Sequence, residues 1–267
     1  MQLAFHTSGW RHTGLDPAMH ALAAIGYAGV EIAPDPIILP PAAWTASEAR
    51  RLRGLAGDLG LAIAGLDLGH PLLLGDTAHE PSFMAPYAGQ RDQRIGLIRR
   101  GIAFAAELGA PLVSLPSGPL APNISCNAAM EHLIDGTDAC LGAALDHGVR
   151  LAIEPAPGQL IGGYAAYLEL TQIFAGGPFG LCYDLVHGHC RFEDIASVIA
   201  DASDLQHLHL ADAMDRELQH LVPGQGALDL GGMLGQLATK DYPGSSVSSL
   251  PAYRAMPRSR RNRHFNS

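Results

Sequence analysis

The feature that most constrains the fold of this chain is the regular alternation of short apolar runs with longer helical patterns along its 267 residues. Each apolar run has the length of a strand, and glycine and proline mark the breaks between segments. The predicted strands are residues 3–6, 29–32, 61–66, 111–115, 149–154, 180–184, 205–210 and 246–250. The predicted helices are residues 16–26, 45–60, 90–109, 127–147, 164–175, 192–200 and 228–240.

Eight strands separated by helices, with no linker and no internal repeat, are typical of a closed α/β fold, the parallel (β/α)8 TIM barrel. An open, doubly wound sheet is the alternative. It is disfavoured because the turn after the first strand, His6-Thr-Ser-Gly9, lacks the G-x-G-x-x-G spacing of a nucleotide-binding loop. We therefore predict a single barrel domain over residues 1–253, with a long loop at residues 67–89.

The end of the chain departs from this pattern. Residues after Pro251 show no amphipathic period and carry a run of arginines, so we predict that the eighth helix is missing or replaced by a basic tail. We expect residues 254–267 to be disordered. Two explanations stay open: another subunit covers the gap beside the last strand, or the reading frame changed near residue 245.

Composition and charge argue against several classes of function. The formal net charge of −9 disfavours nucleic acid as a partner, because duplex binding rests on neutralising phosphates. No uncharged apolar run approaches the ~20 residues that a membrane span needs. The four cysteines show no framework spacing and no signal peptide is visible, so we expect a cytoplasmic protein.

Three of the later predicted strands end in a residue that can bind a divalent metal. Glu154 ends the fifth strand, Asp184 the sixth, and His209 lies near the end of the seventh. Because the carboxyl ends of parallel strands meet at one mouth of a barrel, these side chains should lie close together. A buried glutamate is costly unless it is paired or metal-bound, and no arginine lies within the other strand runs. The sequence therefore predicts a metal site, to which the eighth strand contributes only Ser249.

The seventh strand carries a second histidine, and an aspartate follows it. His207 and His209 are two residues apart and face the same side of a strand. We expect His209, which is nearer the mouth, to be the ligand and His207 to be a packed histidine. Asp212 is the candidate for orienting the His209 ring, because a ligating imidazole usually donates its other N–H to an acceptor.

These residues resemble the xylose-isomerase-like TIM barrel superfamily, which includes sugar isomerases and epimerases and the AP endonucleases of family 2. The resemblance extends over residues 1 to about 253. The motifs that carry it are Ile25-Gly-Tyr-Ala-Gly-Val-Glu31, Ile153-Glu-Pro155, Asp184-Leu-Val-His187, His207-Leu-His-Leu-Ala-Asp212, His220-Leu-Val-Pro-Gly224-Gln-Gly226-Ala-Leu-Asp229 and Tyr242-Pro-Gly244.

The resemblance implies one divalent ion bound by Glu154, Asp184 and His209, with Ser249 where the family has a second glutamate. Manganese is the expected ion, with Mg2+, Co2+ and Zn2+ as alternatives. Glu154 is also the expected catalytic acid or base. The residues predicted to bind substrate are His187 and Arg216, which the resemblance implies, together with His6, His70 and His220.

The implied activity is metal-dependent isomerisation or epimerisation of a small sugar or polyhydroxy keto compound through an enediolate. The alternative is a catalytically inactive or altered small-molecule-binding barrel, which Ser249 and the missing helix favour. A third hypothesis, an AP-endonuclease-like phosphodiesterase, is disfavoured by the negative charge and by the lack of a histidine at the end of the fourth strand. A homodimer is implied by the resemblance alone.

Overall fold

In a computed structural model the chain forms a closed barrel of eight parallel strands, in which each strand pairs with its neighbours in sequence and β1 closes against β8. This confirms the predicted (β/α)8 architecture. The structure describes residues 2–10, 12–240, 242 and 244–249. The strands are β1 Gln2–His6, β2 Gly29–Ile32, β3 Ala62–Asp67, β4 Leu112–Pro116, β5 Arg150–Glu154, β6 Phe179–Asp184, β7 Leu205–Leu210 and β8 Ser245–Ser248.

Helices follow the strands around the outside of the barrel. They are α1 Leu15–Ile25, α2 Ala46–Asp58, α3 Ala88–Leu108, α4 Cys126–His147, α5 Tyr164–Thr171, α6 Leu185–Cys190, α7 Ile195–Asp201 and α8 Leu230–Thr239. Within the described residues, none of these helices is long and apolar enough to cross a membrane. The predicted basic tail and the predicted loss of a helix after β8 lie outside the described residues, so both stay predictions.

Local sequence signals explain where several helices begin. The Thr45 hydroxyl accepts the backbone N–H of Glu48 at 3.1 Å and so caps the start of α2. One short helix is absent from the predicted elements, because α6 follows Asp184 directly, before the helix predicted at residues 192–200. The Asp184 carboxylate accepts the N–H groups of Val186 and His187 and so caps this helix.

The interior of the barrel is built in layers, because side chains two residues apart on a strand share one face. A lower layer is apolar and includes Ala4, Val247, Leu112, Ala152 and Cys182. Two residues further along the same strands, toward the mouth, the layer becomes polar. Its members are His6, Ser249, Ser114, Glu154 and Asp184. The strand period therefore places these polar side chains nearer the mouth than the apolar residues of the same strands.

Two bulges interrupt the regular pairing of the strands. The register between β2 and β3 shifts after Val30, so that Glu31 pairs with Gly65. The register between β6 and β7 shifts after Leu181, so that Cys182 pairs with His207. A bulge re-aims the side chains that follow it and is common beside functional sites. Both bulges therefore affect the strands that carry the buried glutamate and histidines described below.

Candidate metal centre and active site

A pocket of about 200 Å3 opens at the carboxyl ends of the strands. It is the place where the sequence predicted a site. Most of the predicted site residues line it, namely His6, His70, Glu154, Asp184, His187, His209 and His220, together with Ser249.

The three predicted metal ligands come together around one ring nitrogen. Nδ1 of His209 lies 2.9 Å from Oε1 of Glu154 and 4.0 Å from Oδ2 of Asp184. All three residues are buried. Burial alone would lower the pKa of His209, but the acidic groups around it, Cys182, Glu31 and Glu154, raise that pKa well above its usual range. The carboxylates of two strands thus converge on the same edge of a third strand's imidazole.

The loop and helix side of the pocket is formed by two histidines on either side of Asp184. Oδ2 of Asp184 lies 3.1 Å from Nε2 of His220. Burial tends to raise the pKa of the Asp184 carboxyl, but the imidazoles of His187 and His220 outweigh it and hold that pKa below its ordinary value. The His187 ring directs Nδ1 toward the carbonyl oxygen of Pro155 at 3.1 Å. An N–H at that position donates to the carbonyl, so Nε2 is left as the nitrogen available to a ligand.

The opposite side of the pocket contains an acid that the sequence analysis missed. Asp67 ends β3, and its Oδ2 lies 3.1 Å from Nε2 of His6. The other ring nitrogen of His6 lies 2.6 Å from the Ser8 hydroxyl, so the ring is held on both sides. Asp67 could have been found by the same signal as Asp184, a carboxylate at the end of an apolar strand. The apolar run predicts a strand that ends one residue earlier, which places Asp67 in the loop at residues 67–89.

A second missed acid lies just below the pocket. Glu31 is on β2 and is fully buried. Its Oε2 lies 2.9 Å from Nε2 of His209, and its Oε1 lies 3.0 Å from Nε2 of His207. The Ser114 hydroxyl is 3.3 Å from Oε1 of the same carboxylate. Burial tends to raise the pKa of Glu31, but His207 and His209 outweigh it and hold that pKa well below its usual range.

The structure places Arg216 outside the pocket lining and Asp212 away from His209, and a substrate contact of Arg216 stays a prediction. Arg216 does not line the pocket: its guanidinium lies 4.6 Å from the centre of the Phe192 ring and donates to the carbonyl of His189 at 2.5 Å. Asp212 does not orient His209, because its carboxylate accepts backbone N–H groups of its own loop, including those of Gly224 and Gly226 at 2.9 and 2.7 Å. Both residues organise the loop that follows β7.

The remaining two residues at the rim have simple roles in the structure. Nδ1 of His70 accepts the N–H of Leu72 at 3.1 Å, which shapes the loop after β3. Ser249 follows β8, and its N–H donates to the carbonyl of Leu210 at 3.0 Å. That bond holds position 249 beside the end of β7, where His209 lies. A ligand at position 249 would therefore face the site.

The charge balance of the site fits a divalent cation. The carboxylates of Glu31, Asp67, Glu154 and Asp184 are all buried at or just below the mouth. Among the described residues that line the pocket there is no lysine or arginine, so the side chains there that can carry a positive charge are imidazoles. Uncompensated buried carboxylates are costly, and a bound cation removes that cost. The oxygen and nitrogen donors of Glu154, Asp184 and His209 suit Mn2+ or Zn2+.

The fold and the site together define a TIM barrel with a cluster of carboxylates and histidines at its mouth. Residues 19–262 match the family model of the xylose isomerase-like TIM barrel, so the chain belongs to that family. A search of curated protein sequences gave no match.

Several solved structures share the fold at low sequence identity. 3-Keto-D-glucoside 4-epimerase, YcjR, from E. coli has a TM-score of 0.78 and 16% identity, over 96% of this chain and 94% of that chain. A D-tagatose 3-epimerase-like protein has a TM-score of 0.81 and 17% identity, over 95% and 92% of the two chains. The IolI protein with a bound zinc atom has a TM-score of 0.76 and 18% identity, over 94% and 90%. At these identities the likeness shows the fold alone.

Proposed function

We propose that this protein is a divalent-metal-dependent isomerase or epimerase that acts on a small sugar or polyhydroxy keto compound. The observation that carries the proposal is the convergence of Glu154 and Asp184 on Nδ1 of His209 at the pocket mouth, at 2.9 and 4.0 Å. In a TIM barrel this is the face where reacting groups are placed. Relatives of known structure named as sugar epimerases support the substrate class.

Glu154, Asp184 and His209 would bind the ion, and Ser249 would occupy the position from which a fourth ligand could reach it. When bound, the ion would act as a Lewis acid that polarises a carbonyl and an adjacent hydroxyl of the substrate. Manganese is our first expectation, and the zinc in the solved IolI structure keeps zinc as the alternative. Because Ser249 cannot supply a carboxylate, the affinity for the ion should be low for a site of this kind.

The chain's own residues would handle the proton and the orientation of the substrate. Glu154 is partly accessible at the mouth, with an exposed fraction of 8%, and its Oε1 lies 3.7 Å from Nδ1 of His187. It is the candidate to take a proton from the substrate carbon and return it. His187 would accept a hydrogen bond from a substrate hydroxyl through Nε2, and His220 would contact a second hydroxyl from the rim. The pocket has the volume for only a small molecule.

Exchange of a substrate carbon-bound hydrogen with solvent tests the proposal without knowledge of the product. The protein, purified without chelator and loaded with Mn2+, is incubated with a panel of ketoses and keto-glycosides in D2O. We expect deuterium to enter at the carbon beside the carbonyl of at least one substrate, and chelator to abolish the exchange. Glu154→Gln should remove it because the proton acceptor is lost.

The matched control is Glu193→Gln. Glu193 is a carboxylate outside the pocket that accepts the Tyr183 hydroxyl at 2.8 Å, so its replacement makes the same chemical change at a hydrogen-bonded carboxylate that does not line the pocket. The control should retain exchange. Exchange that survives in Glu154→Gln, or that does not depend on metal, would contradict the proposal.

A second candidate function is supported by one observation, the serine at position 249 in the pocket wall. A barrel that lost its fourth ligand could retain a sugar-binding pocket without turnover. In that case calorimetry at saturating metal would detect binding of a sugar ligand, but no ligand that binds would exchange hydrogen for deuterium. The phosphodiesterase hypothesis gains no support, because buried carboxylates at the mouth repel a phosphate and β4 presents Ser114 rather than a histidine.

A further inference from the structure

We infer that Glu31 is a positioning residue that holds the His209 ring so that Nδ1, and not Nε2, faces the metal. This inference rests on the proposed function and names the acceptor that the sequence analysis had assigned to Asp212. Glu31 does not touch the ion or the substrate in this account. It acts through the hydrogen bond that it accepts from His209.

The two ring nitrogens of His209 have different surroundings. Nδ1 lies 2.9 Å from Glu154 at the mouth, whereas Nε2 lies 2.9 Å from Oε2 of Glu31 in the barrel interior. Glu31 is fully buried, and its Oε2 is placed to accept the N–H of Nε2 from inside the barrel. An ion at the mouth would meet Nδ1, so the single proton of the metal-bound ring would be on Nε2, where Glu31 accepts it. Such a partner also makes the imidazole more basic as a ligand.

The strand pairing around Glu31 leaves space for its carboxylate. The bulge between β2 and β3 brings Gly65 opposite Glu31. A Cβ at position 65 would lie 3.1 Å from Oε1 of Glu31, so a glycine leaves the space that the carboxylate occupies. On its far side the carboxylate is held by His207, which is fully buried and lies 3.0 Å from Oε1. Glu31 thus has one oxygen for His207 and one for His209.

His207 adds an independent indication that the arrangement is specific. Neither of its ring nitrogens makes a well-aligned hydrogen bond within the described part of the chain, although Nε2 is close to Glu31. A fully buried imidazole with so little compensation is costly. Its Nε2 lies 3.0 Å from Oε1 of Glu31, and its ring packs edge-on against His209. We attribute the position of His207 to fixing the Glu31 carboxylate beside His209.

A competing arrangement uses the same residues as a metal site. His6, Glu31 and His209 each offer a ligand atom, and the three atoms lie within 4.8 Å of one another. In that arrangement Glu31 would bind the ion and His209 would use Nε2. The two arrangements predict opposite protonation of the His209 ring, so one measurement separates them.

Nitrogen NMR on the zinc-loaded protein reads that protonation directly, because Zn2+ is diamagnetic. With 15N-labelled histidine, the His209 signals are identified by their loss in His209→Gln. We expect Nε2 to carry a proton and Nδ1 to show the shift of a zinc-bound nitrogen. A zinc-bound Nε2 with a protonated Nδ1 would overturn the inference. This test needs no variant of Glu31, so it stands even if such variants fold poorly.

Zinc affinity of Glu31→Gln provides the second test. The amide can still accept a hydrogen bond but has lost the charge, and loss of such support typically costs roughly 10–100-fold in metal affinity. We expect a loss in that range by calorimetry, and no change for the control Glu193→Gln. Equal zinc affinity of the wild type and Glu31→Gln would overturn the role of Glu31 and leave the proposed function standing. A wild type that binds no zinc would instead overturn the proposed function, and this inference with it.

Discussion

The substitution Ser249→Glu should create the fourth ligand that the site lacks. Position 249 lines the pocket with Glu154 and Asp184, and its backbone N–H bonds to Leu210, the residue after His209, at 3.0 Å. The backbone is therefore already anchored beside the site. A glutamate there replaces a hydroxyl with a carboxylate that reaches toward the same ion.

The size of the effect follows from the chemistry of the ligand set. Loss of an interaction that merely supports a ligand costs roughly 10–100-fold in affinity, and gain of a direct ligand should be worth at least as much. That range corresponds to about 1.4–2.7 kcal/mol of binding free energy. The new carboxylate also joins the acids of the pocket. We therefore expect Ser249→Glu to lower the melting temperature of the metal-free protein and to raise that of the metal-loaded protein.

Calorimetry with Mn2+ measures the affinity, and thermal unfolding with and without the ion measures the opposite shifts in stability. Ser249→Gln is the matched control, since it adds a side chain of the same length without the charge, and it should gain far less affinity. If wild type and Ser249→Glu bind Mn2+ equally, position 249 does not face the ion and the assigned ligand set is wrong.

Further predictions concern stability and the substrate. Gly136→Ala in α4 should lower the free energy of unfolding by about 1–3 kcal/mol, because its Cβ would overlap the Phe83 ring. Gly142→Ala in the same helix meets open space and should raise the free energy of unfolding by about 0.5–1 kcal/mol. Chemical denaturation compares the two variants, and equal effects would count against the packing described. Burial raises the pKa of the Cys140 thiol from 9.0 to about 12, so only the unfolded thiol ionises as the pH rises above 9. The free energy of unfolding should therefore fall by up to about 1.4 kcal/mol per pH unit in that range. Cys140→Ala should lose this pH dependence, and matching pH slopes in the two proteins would refute the prediction. His187→Gln should lower kcat/KM by roughly 10–100-fold with little change in metal affinity, and an equal loss of metal binding would make His187 a ligand rather than a substrate contact.

The fold could be predicted from the sequence because its signals are local and repeated. The strand runs and the Thr45 cap each indicate an element on their own, and eight alternations leave few topologies. Boundaries were less accurate where a polar residue decides them. The Asp184 side chain caps α6, so the residues after it are helical, although they resemble a turn in the sequence.

The candidate site could be predicted only as far as it depends on strand ends. Glu154, Asp184 and His209 follow from that rule, and the structure brings them together. Glu31 lies one residue before the end of β2, as His209 does on β7, so the same rule could have found it. Its pairing with Gly65 depends on a bulge, which no local pattern indicates. The place of Arg216 outside the pocket lining could not be predicted either, since the loop after β7 is organised by the backbone bonds of Asp212.

The most direct test of the central claim is a crystal of the protein soaked in Mn2+, with an anomalous difference map recorded at a wavelength sensitive to manganese. The account predicts one strong peak at the barrel mouth, within bonding distance of a carboxylate oxygen of Glu154, a carboxylate oxygen of Asp184 and Nδ1 of His209. No peak there at saturating Mn2+, or a peak in the interior between His6, Glu31 and Nε2 of His209, would contradict it.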